Sequence, residues 1–202
     1  MTWILLILTI GGSLWAFSRP DLHARLRFSP WLIHERGQAY RFLSYALVHA
    51  DWAHLAVNMF VLLSFGRAVE HYYSMLFPGM DRFYFILLYL GGTLISVTPS
   101  YARHKGNPHY AAVGASGAVS AIVFASILIQ PMGGVMIFPI PFEIPGIVFG
   151  VLYLVYSAVM ARKAQDNIGH DAHFWGAVFG FVFTLLLMPA LLPAMWAQVW
   201  PW

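Results

Sequence analysis

The stretch Gly114-Ala115-Ser116-Gly117 places a serine between two glycines at the start of a long apolar run. Small residues of this kind let membrane helices pack closely, so by itself the stretch is typical of a packing patch. A serine is also a weak nucleophile unless a base lies beside it. The stretch therefore becomes a candidate catalytic site only if suitable polar residues elsewhere in the chain reach the same depth.

The composition places this stretch in a membrane protein. Of the 202 residues, 60% are hydrophobic and only 9% are charged, whereas soluble domains carry roughly a quarter charged residues. Because no sizeable polar segment is present, we predict a single domain over 1–202. The net charge is +3, but the basic residues are scattered through the connections, which argues against a nucleic-acid partner. Cysteine is absent, which excludes disulfides, thiol nucleophiles and cysteine metal sites.

The apolar segments predict an all-α membrane protein, a bundle of six transmembrane helices. A hydrocarbon core needs about 20 apolar residues per helix. The predicted helices cover about 2–18, 46–68, 83–102, 113–130, 144–161 and 172–195. The first segment lacks the basic start of a signal peptide, so we interpret it as a retained span. The long first connection mixes charged with bulky apolar residues, which favours an interfacial segment over a solvated loop.

The alternation of spans brings the unusual polar residues to one side of the membrane. Helices 2, 4 and 6 run in the same direction, so their N-terminal ends share a side. His49, His54 and Asn58 begin the second segment, Ser116 begins the fourth, and His173 begins the sixth. A helix over 114–130 in the fourth segment would be about 25 Å long, shorter than a core of about 30 Å. We therefore expect the serine to lie below the surface, in a water-filled cavity lined by the irregular backbone before it.

His173 is the candidate base for the serine. It shares a helix face with Gly176 and Gly180 at i, i+3, i+7 spacing, and these glycines would let the sixth helix approach the fourth closely. The alternative is a satisfied core histidine beside a packing face. Asp171 points to the other side of the helix and Asp166 lies in a loop, so a serine–histidine dyad is favoured over a triad.

His54 and Asn58 are the candidate donors for an oxyanion. They are spaced i, i+4 on one face of the second helix, and the backbone N–H of Ser116 at a helix start would add a third donor. Ordinary hydrogen bonding between helices is the alternative for this pair. His49 is less clearly on that face and could instead brace the first connection.

No metal or cofactor is predicted for these groups. The stretch His34-Glu35-Arg36-Gly37-Gln38 lacks the second histidine of the HExxH zinc motif and lies outside any helix core.

Together these residues resemble the rhomboid family of intramembrane serine proteases over the whole chain, in its six-helix form. The matching residues are Gly114, Ala115, Ser116 and Gly117; Ala172, His173, Gly176 and Gly180; and His49, His54 and Asn58. The resemblance implies that Ser116 is the nucleophile and His173 the base. It also places His54 and Asn58 in the oxyanion hole and makes Glu70 a structural acid that ties down the connection between helices 2 and 3.

Two positions depart from the family pattern. Rhomboids often carry Trp-Arg in the first connection, where this chain has Tyr40-Arg41. In some members an aromatic residue one turn after the serine stacks on the histidine, but that position is Ser120 here. We therefore expect another aromatic residue, such as Phe174 or Trp175, to pack on the histidine.

The implied function is cleavage of transmembrane segments of membrane-protein substrates within the lipid. By resemblance, substrates would approach near helices 2 and 5, with Pro145, Gly146 and Gly150 making helix 5 mobile and the connection before helix 6 acting as a lid. The alternative is an inactive rhomboid-like protein that binds transmembrane helices, although such relatives typically lack the serine or the histidine.

The family resemblance and the distribution of basic residues predict opposite orientations in the membrane. The compact form favours a multi-pass protein of the prokaryotic plasma membrane, and the resemblance implies a site that opens to the extracytoplasmic side. However, nine of the eleven Lys and Arg residues fall in connections 1, 3 and 5, which the positive-inside rule assigns to the cytoplasm. We favour the family's orientation because arginines engaged in a folded first connection would weaken that rule.

Overall fold

The computed structural model describes residues 1–136, 141–163 and 169–200, which form a helical bundle with one short antiparallel hairpin. The helices are α1 Thr2–Phe17, α2 Pro20–Leu26, α3 Pro30–Arg36, α4 Arg41–Ser44, α5 Trp52–Leu76, α6 Asp81–His104, α7 Ser116–Ile129, α8 Gly146–Lys163, α9 His170–Leu187 and α10 Leu191–Val199. A 3₁₀ turn covers Tyr45–Leu47, and the hairpin pairs β1 Gly134–Met136 with β2 Glu143–Pro145. Asp166 and most of the connection expected to act as a lid lie outside the described residues.

Four of the described helices, α5, α6, α8 and α9, are long and apolar enough to cross a membrane. Two others, α1 and α7, are apolar but only 16 and 14 residues long. The prediction of an all-α membrane bundle is confirmed, whereas helix length alone does not establish six spans.

The second predicted helix differs from the observed one by more than a turn at each end. The side chain of Asp51 accepts a hydrogen bond from the backbone N–H of His54 at 2.8 Å and caps the helix, which begins at Trp52 and not near residue 46. At the other end α5 continues beyond residue 68 to Leu76 and stops just before a turn in which Gly79 has a φ of +84°.

The sixth predicted helix, 172–195, is divided in two. Helix α9 ends at Leu187, and α10 starts again at Leu191. Pro189 lies in the break, and a proline both lacks the N–H that the helix needs and forces the residue before it out of the helical region. Met188 accordingly has φ −144° and ψ 85°.

Helix α7 is the centre of the bundle. Every residue from Gly117 to Ile129 is buried, and the helix packs against α5, α6, α8 and α9. A helix that is apolar all round is typical of a core position. Its 14 residues extend about 21 Å at about 1.5 Å per residue, which is less than a hydrocarbon core of about 30 Å. At least one end of α7 therefore lies below the membrane surface.

The first connection is folded and is held by a buried arginine. The side chain of Arg41 is only 4% exposed. Its Nη1 donates to the carbonyl oxygens of Ala24 at 3.1 Å and Arg27 at 2.7 Å, and its Nε donates to Gln38 Oε1 at 2.7 Å. Arg41 thus joins α2, α4 and the segments around them into one unit.

Candidate active site

Ser116 is the first residue of α7 and is half-buried. Gly114, two residues earlier, has a φ of +109°, in the region that glycine adopts without steric cost. A Cβ at Gly114 would come within 2.7 Å of His54 Cε1. The glycine is therefore required both by the backbone turn into α7 and by the imidazole that lies against it.

The segment before Ser116 is held by the backbone of the first connection. Phe28 and Ala112 form an antiparallel bridge, with N–H···O distances of 2.9 and 3.0 Å. The N–H of Gly114 then donates to the carbonyl oxygen of Tyr45 at 3.0 Å. The position of Ser116 thus depends on a connection that is more than 60 residues away in sequence.

His49 is fully buried and links this segment to α1. Its Nε2 accepts the N–H of Ala115 at 3.3 Å, so Nδ1 carries the proton and donates to Ser13 Oγ at 3.0 Å. The Ser13 hydroxyl in turn donates to the carbonyl oxygen of Leu47 at 3.1 Å. Burial lowers the pKa of His49 to about 3, which keeps the ring neutral as its acceptor role requires. His49 therefore braces the backbone next to Ser116.

His54 and Asn58 lie one turn apart on α5. The ring of His54 packs edge-on against His49, with 4.9 Å between centroids and an interplanar angle of 75°. The side chain of Asn58 is buried, and its Nδ2 donates to the backbone carbonyl of His54 at 2.9 Å. The amide has a second N–H, so one donor is used within the helix and one is left for another acceptor.

The contact between α7 and α9 is made by glycines. A Cβ at Gly176 would overlap the carbonyl oxygen of Gly117, and a Cβ at Gly180 would overlap that of Ala121. The two backbones therefore touch with no side chain between them, which only glycine allows.

Helices α7 and α9 also approach each other closely beside the candidate dyad. A Cβ at Gly117 would overlap Ser96 Oγ of α6 and would lie 3.4 Å from the carbonyl oxygen of Ala172. Gly117 directly follows Ser116, and Ala172 directly precedes the half-buried His173. The fold thus brings the two candidate residues to the same level of two touching helices.

The aromatic ring that lies nearly parallel to the His173 imidazole belongs to Tyr153 of α8, a residue that the sequence did not indicate. Tyr153 of α8 lies with its ring centroid 6.1 Å from that of His173, at an interplanar angle of 23°. Phe174 and Trp175, the expected candidates, pack against each other at 5.4 Å. No local motif marks Tyr153, because its contacts depend on where α8 lies against α7 and α9.

The remaining acidic candidates, Asp171 and Glu70, each form an ion pair. Asp171 forms an ion pair with Arg103 of α6. Glu70 forms an ion pair with the amino group of Met1 and, with Asp81 and Arg82, lines a cavity where α5 approaches α6. Within the described ranges, no group of three or more His, Asp or Glu side chains is arranged to hold a metal ion.

Comparison with known proteins identifies the fold family. The Rhomboid domain matches residues 36–190. Rhomboid-related protein 1 of Caenorhabditis elegans is 27% identical over 165 residues, which cover 80% of this chain and 42% of that protein. Rhomboid-like protein 11, chloroplastic, of Arabidopsis thaliana is 27% identical over 179 residues, covering 79% of this chain and 56% of that protein.

A bacterial relative is named as a protease. Rhomboid protease GluP of Bacillus subtilis is 29% identical over 146 residues, which cover 72% of this chain and 25% of that protein. This chain thus spans about half or less of the length of these three relatives. Because the Rhomboid domain match covers most of the chain and includes the helices that carry Ser116 and His173, the chain belongs to the rhomboid family.

Proposed function

We propose that this protein is an intramembrane serine endopeptidase that cleaves transmembrane segments of membrane-protein substrates through a dyad of Ser116 and His173. The observation that carries the proposal is the glycine contact between α7 and α9, in which Gly176 packs directly on the Gly117 backbone. A contact this close is what hydrogen-bond reach between a serine and a histidine on two separate helices requires.

In the proposed reaction Ser116 Oγ attacks the carbonyl carbon of the scissile amide while His173 takes the hydroxyl proton. The oxyanion that forms accepts hydrogen bonds from the His54 ring, the free Asn58 N–H and the Ser116 backbone N–H at the start of α7. Collapse of this intermediate breaks the C–N bond, and His173 returns the proton to the leaving amine. Water, deprotonated by His173, then hydrolyses the acyl-enzyme and regenerates Ser116.

A substrate helix must reach the dyad from the lipid and unwind, because its hydrogen-bonded amides are shielded from attack. The outer face of α8 supports lateral approach. It carries exposed apolar side chains, among them Val148, Val151, Leu152 and Val155, which suit contact with lipid and with an apolar helix. We propose that substrates pass between α5 and α8, and that no cofactor, metal or nucleic acid takes part.

The test is cleavage of a transmembrane substrate by the purified protein in lipid vesicles. Ser116→Ala and His173→Ala should each abolish cleavage while leaving the thermal unfolding midpoint nearly unchanged. Labelling by a fluorophosphonate separates the protease from an inactive helix-binding protein. A wild-type protein that binds transmembrane helices but is never labelled at Ser116 would establish the second function and refute the first.

The apolar helices and the family make this an integral membrane protein. We propose that the site opens to the extracytoplasmic side. The contacts of Arg41 with backbone carbonyls and of Arg103 with Asp171 support this orientation, because these cations are held by the fold and count less towards the charge rule. A reporter fused after Trp202 should lie in the cytoplasm, and an external reporter would reverse the orientation. The prokaryotic plasma membrane stays a prediction.

A further inference from the structure

Tyr153 is anchored by a serine that lies one helical turn from the candidate nucleophile. The Tyr153 hydroxyl and Ser120 Oγ are 2.6 Å apart, a short hydrogen bond in which either group can donate. Ser120 is only 4% exposed, so water does not compete freely for this contact. The hydrogen bond therefore holds the Tyr153 hydroxyl of α8 against the side chain of Ser120 on α7.

The ring of Tyr153 is also held from its sides. Phe124 of α7 and Phe149 of α8 lie with their ring centroids 5.7 and 5.6 Å from it. With its hydroxyl and its edges engaged, the ring has little freedom to move. It lies nearly parallel to the imidazole of His173, at 23° and 6.1 Å between centroids.

We propose that Tyr153, anchored by Ser120, is a positioning residue for the His173 imidazole, an inference that rests on the proposed function. The orientation of the base matters, because misplacement of a reacting group by about 1 Å can lower a rate about 100-fold. In this chain α8 supplies the ring, and the position one turn after the nucleophile supplies the hydroxyl that holds it. The alignment of the base therefore depends on the position of α8.

The test is the kinetics of Ser116 labelling by a fluorophosphonate, with the full chain in detergent. In this reaction the Ser116 Oγ–P bond forms, the P–F bond breaks, fluoride leaves, and the hydroxyl proton passes to His173. The dependence on probe concentration gives a maximal labelling rate and a half-saturating concentration. Tyr153→Leu removes the ring and should lower the maximal rate about 10- to 100-fold, with the half-saturating concentration unchanged.

Two further variants separate positioning from general packing. Tyr153→Phe keeps the ring and loses the hydrogen bond, as does Ser120→Ala, so each should lower the maximal rate by only about 2- to 10-fold. Because both remove the same bond, the double variant should be no slower than the slower single variant. This comparison decides the question even if Tyr153→Leu does not fold, since multiplicative losses would overturn the proposal.

Tyr156→Leu is the matched control. Tyr156 lies on the same helix and is 54% exposed. Its ring contacts that of His170, with 5.4 Å between the centroids. Wild-type rates in Tyr153→Leu, or an equal loss in Tyr156→Leu, would overturn the proposal, as would a loss confined to the half-saturating concentration. If the wild type itself is not labelled, the proposed function fails and this inference fails with it. If the wild type is labelled and Ser116→Ala is not, a normal Tyr153→Leu refutes this inference alone.

Discussion

Gly176→Ala should disable the site without removing any group that takes part in the chemistry. The added Cβ would overlap the Gly117 carbonyl oxygen and would lie 2.8 Å from the carbonyl carbon and 3.0 Å from the Cα of the same residue. Non-bonded carbon atoms prefer about 3.5–4.0 Å. The obstacle is backbone and cannot rotate away, so α9 must move from α7 by roughly 0.5–1 Å, the difference between these distances.

The displacement of α9 sets the expected losses of stability and of labelling rate. Overpacking of a core contact costs about 1–3 kcal/mol, so the protein should still fold with a lower unfolding midpoint. Moving His173 away from Ser116 by up to 1 Å should lower the labelling rate by as much as about 100-fold. The assay is fluorophosphonate labelling of Ser116, normalised to folded protein.

Gly11→Ala is the control, because Gly11 lies in helix α1 and an added Cβ there meets nothing within 4 Å. This variant should label like the wild type and should unfold no earlier, because alanine is favoured over glycine within a helix. If Gly176→Ala labels at the wild-type rate with an unchanged midpoint, the helices do not touch as described, and the geometric argument for the dyad fails.

Three other outcomes are expected. Asn58→Ala should lower cleavage about 10- to 1,000-fold, the usual cost of one oxyanion donor, and an unchanged rate would remove Asn58 from the site. The pKa of His49 is about 3 when folded against an ordinary 6.5, so the unfolded state binds the proton more tightly. The free energy of unfolding should therefore fall as the pH drops below about 6.5, by at most about 1.4 kcal/mol per pH unit, and His49→Gln should flatten that dependence in thermal unfolding. Arg41→Ala should cost about 1–3 kcal/mol for each carbonyl left unsatisfied; a midpoint equal to that of the wild type would show that the first connection does not depend on it.

The membrane helices could be predicted from the sequence because a span needs only a sufficient length of apolar residues. Their ends were less predictable, because they depend on the local backbone. Asp51 caps α5 later than hydropathy indicates, and Pro189 interrupts an apolar run that is continuous in composition. Both residues can be read from the sequence, but a count of apolar residues does not detect a helix cap or a helix break.

The candidate site was partly predictable for a similar reason. The sequence predicts a shared depth for Ser116, His173, His54 and Asn58 because alternate predicted spans run in the same direction, which is a one-dimensional argument. The face shared by Gly176 and Gly180 follows from helical periodicity. The roles of these residues are predictions that the experiments above test.

The sequence by itself determined that the chain is a helical membrane protein. It also predicts that the candidate site residues gather at one depth and that a serine and a histidine begin two helices that run in the same direction. Only the tertiary structure decided which side chains meet there. Tyr153 reaches Ser120 and His173, His49 binds the Ala115 backbone, and Arg41 binds the carbonyls of Ala24 and Arg27. Periodicity shows which face of a helix is buried, but it does not show which helix lies opposite or at what axial register. Those two quantities depend on close packing among all the helices at once, and they decide whether a base can be held against a serine.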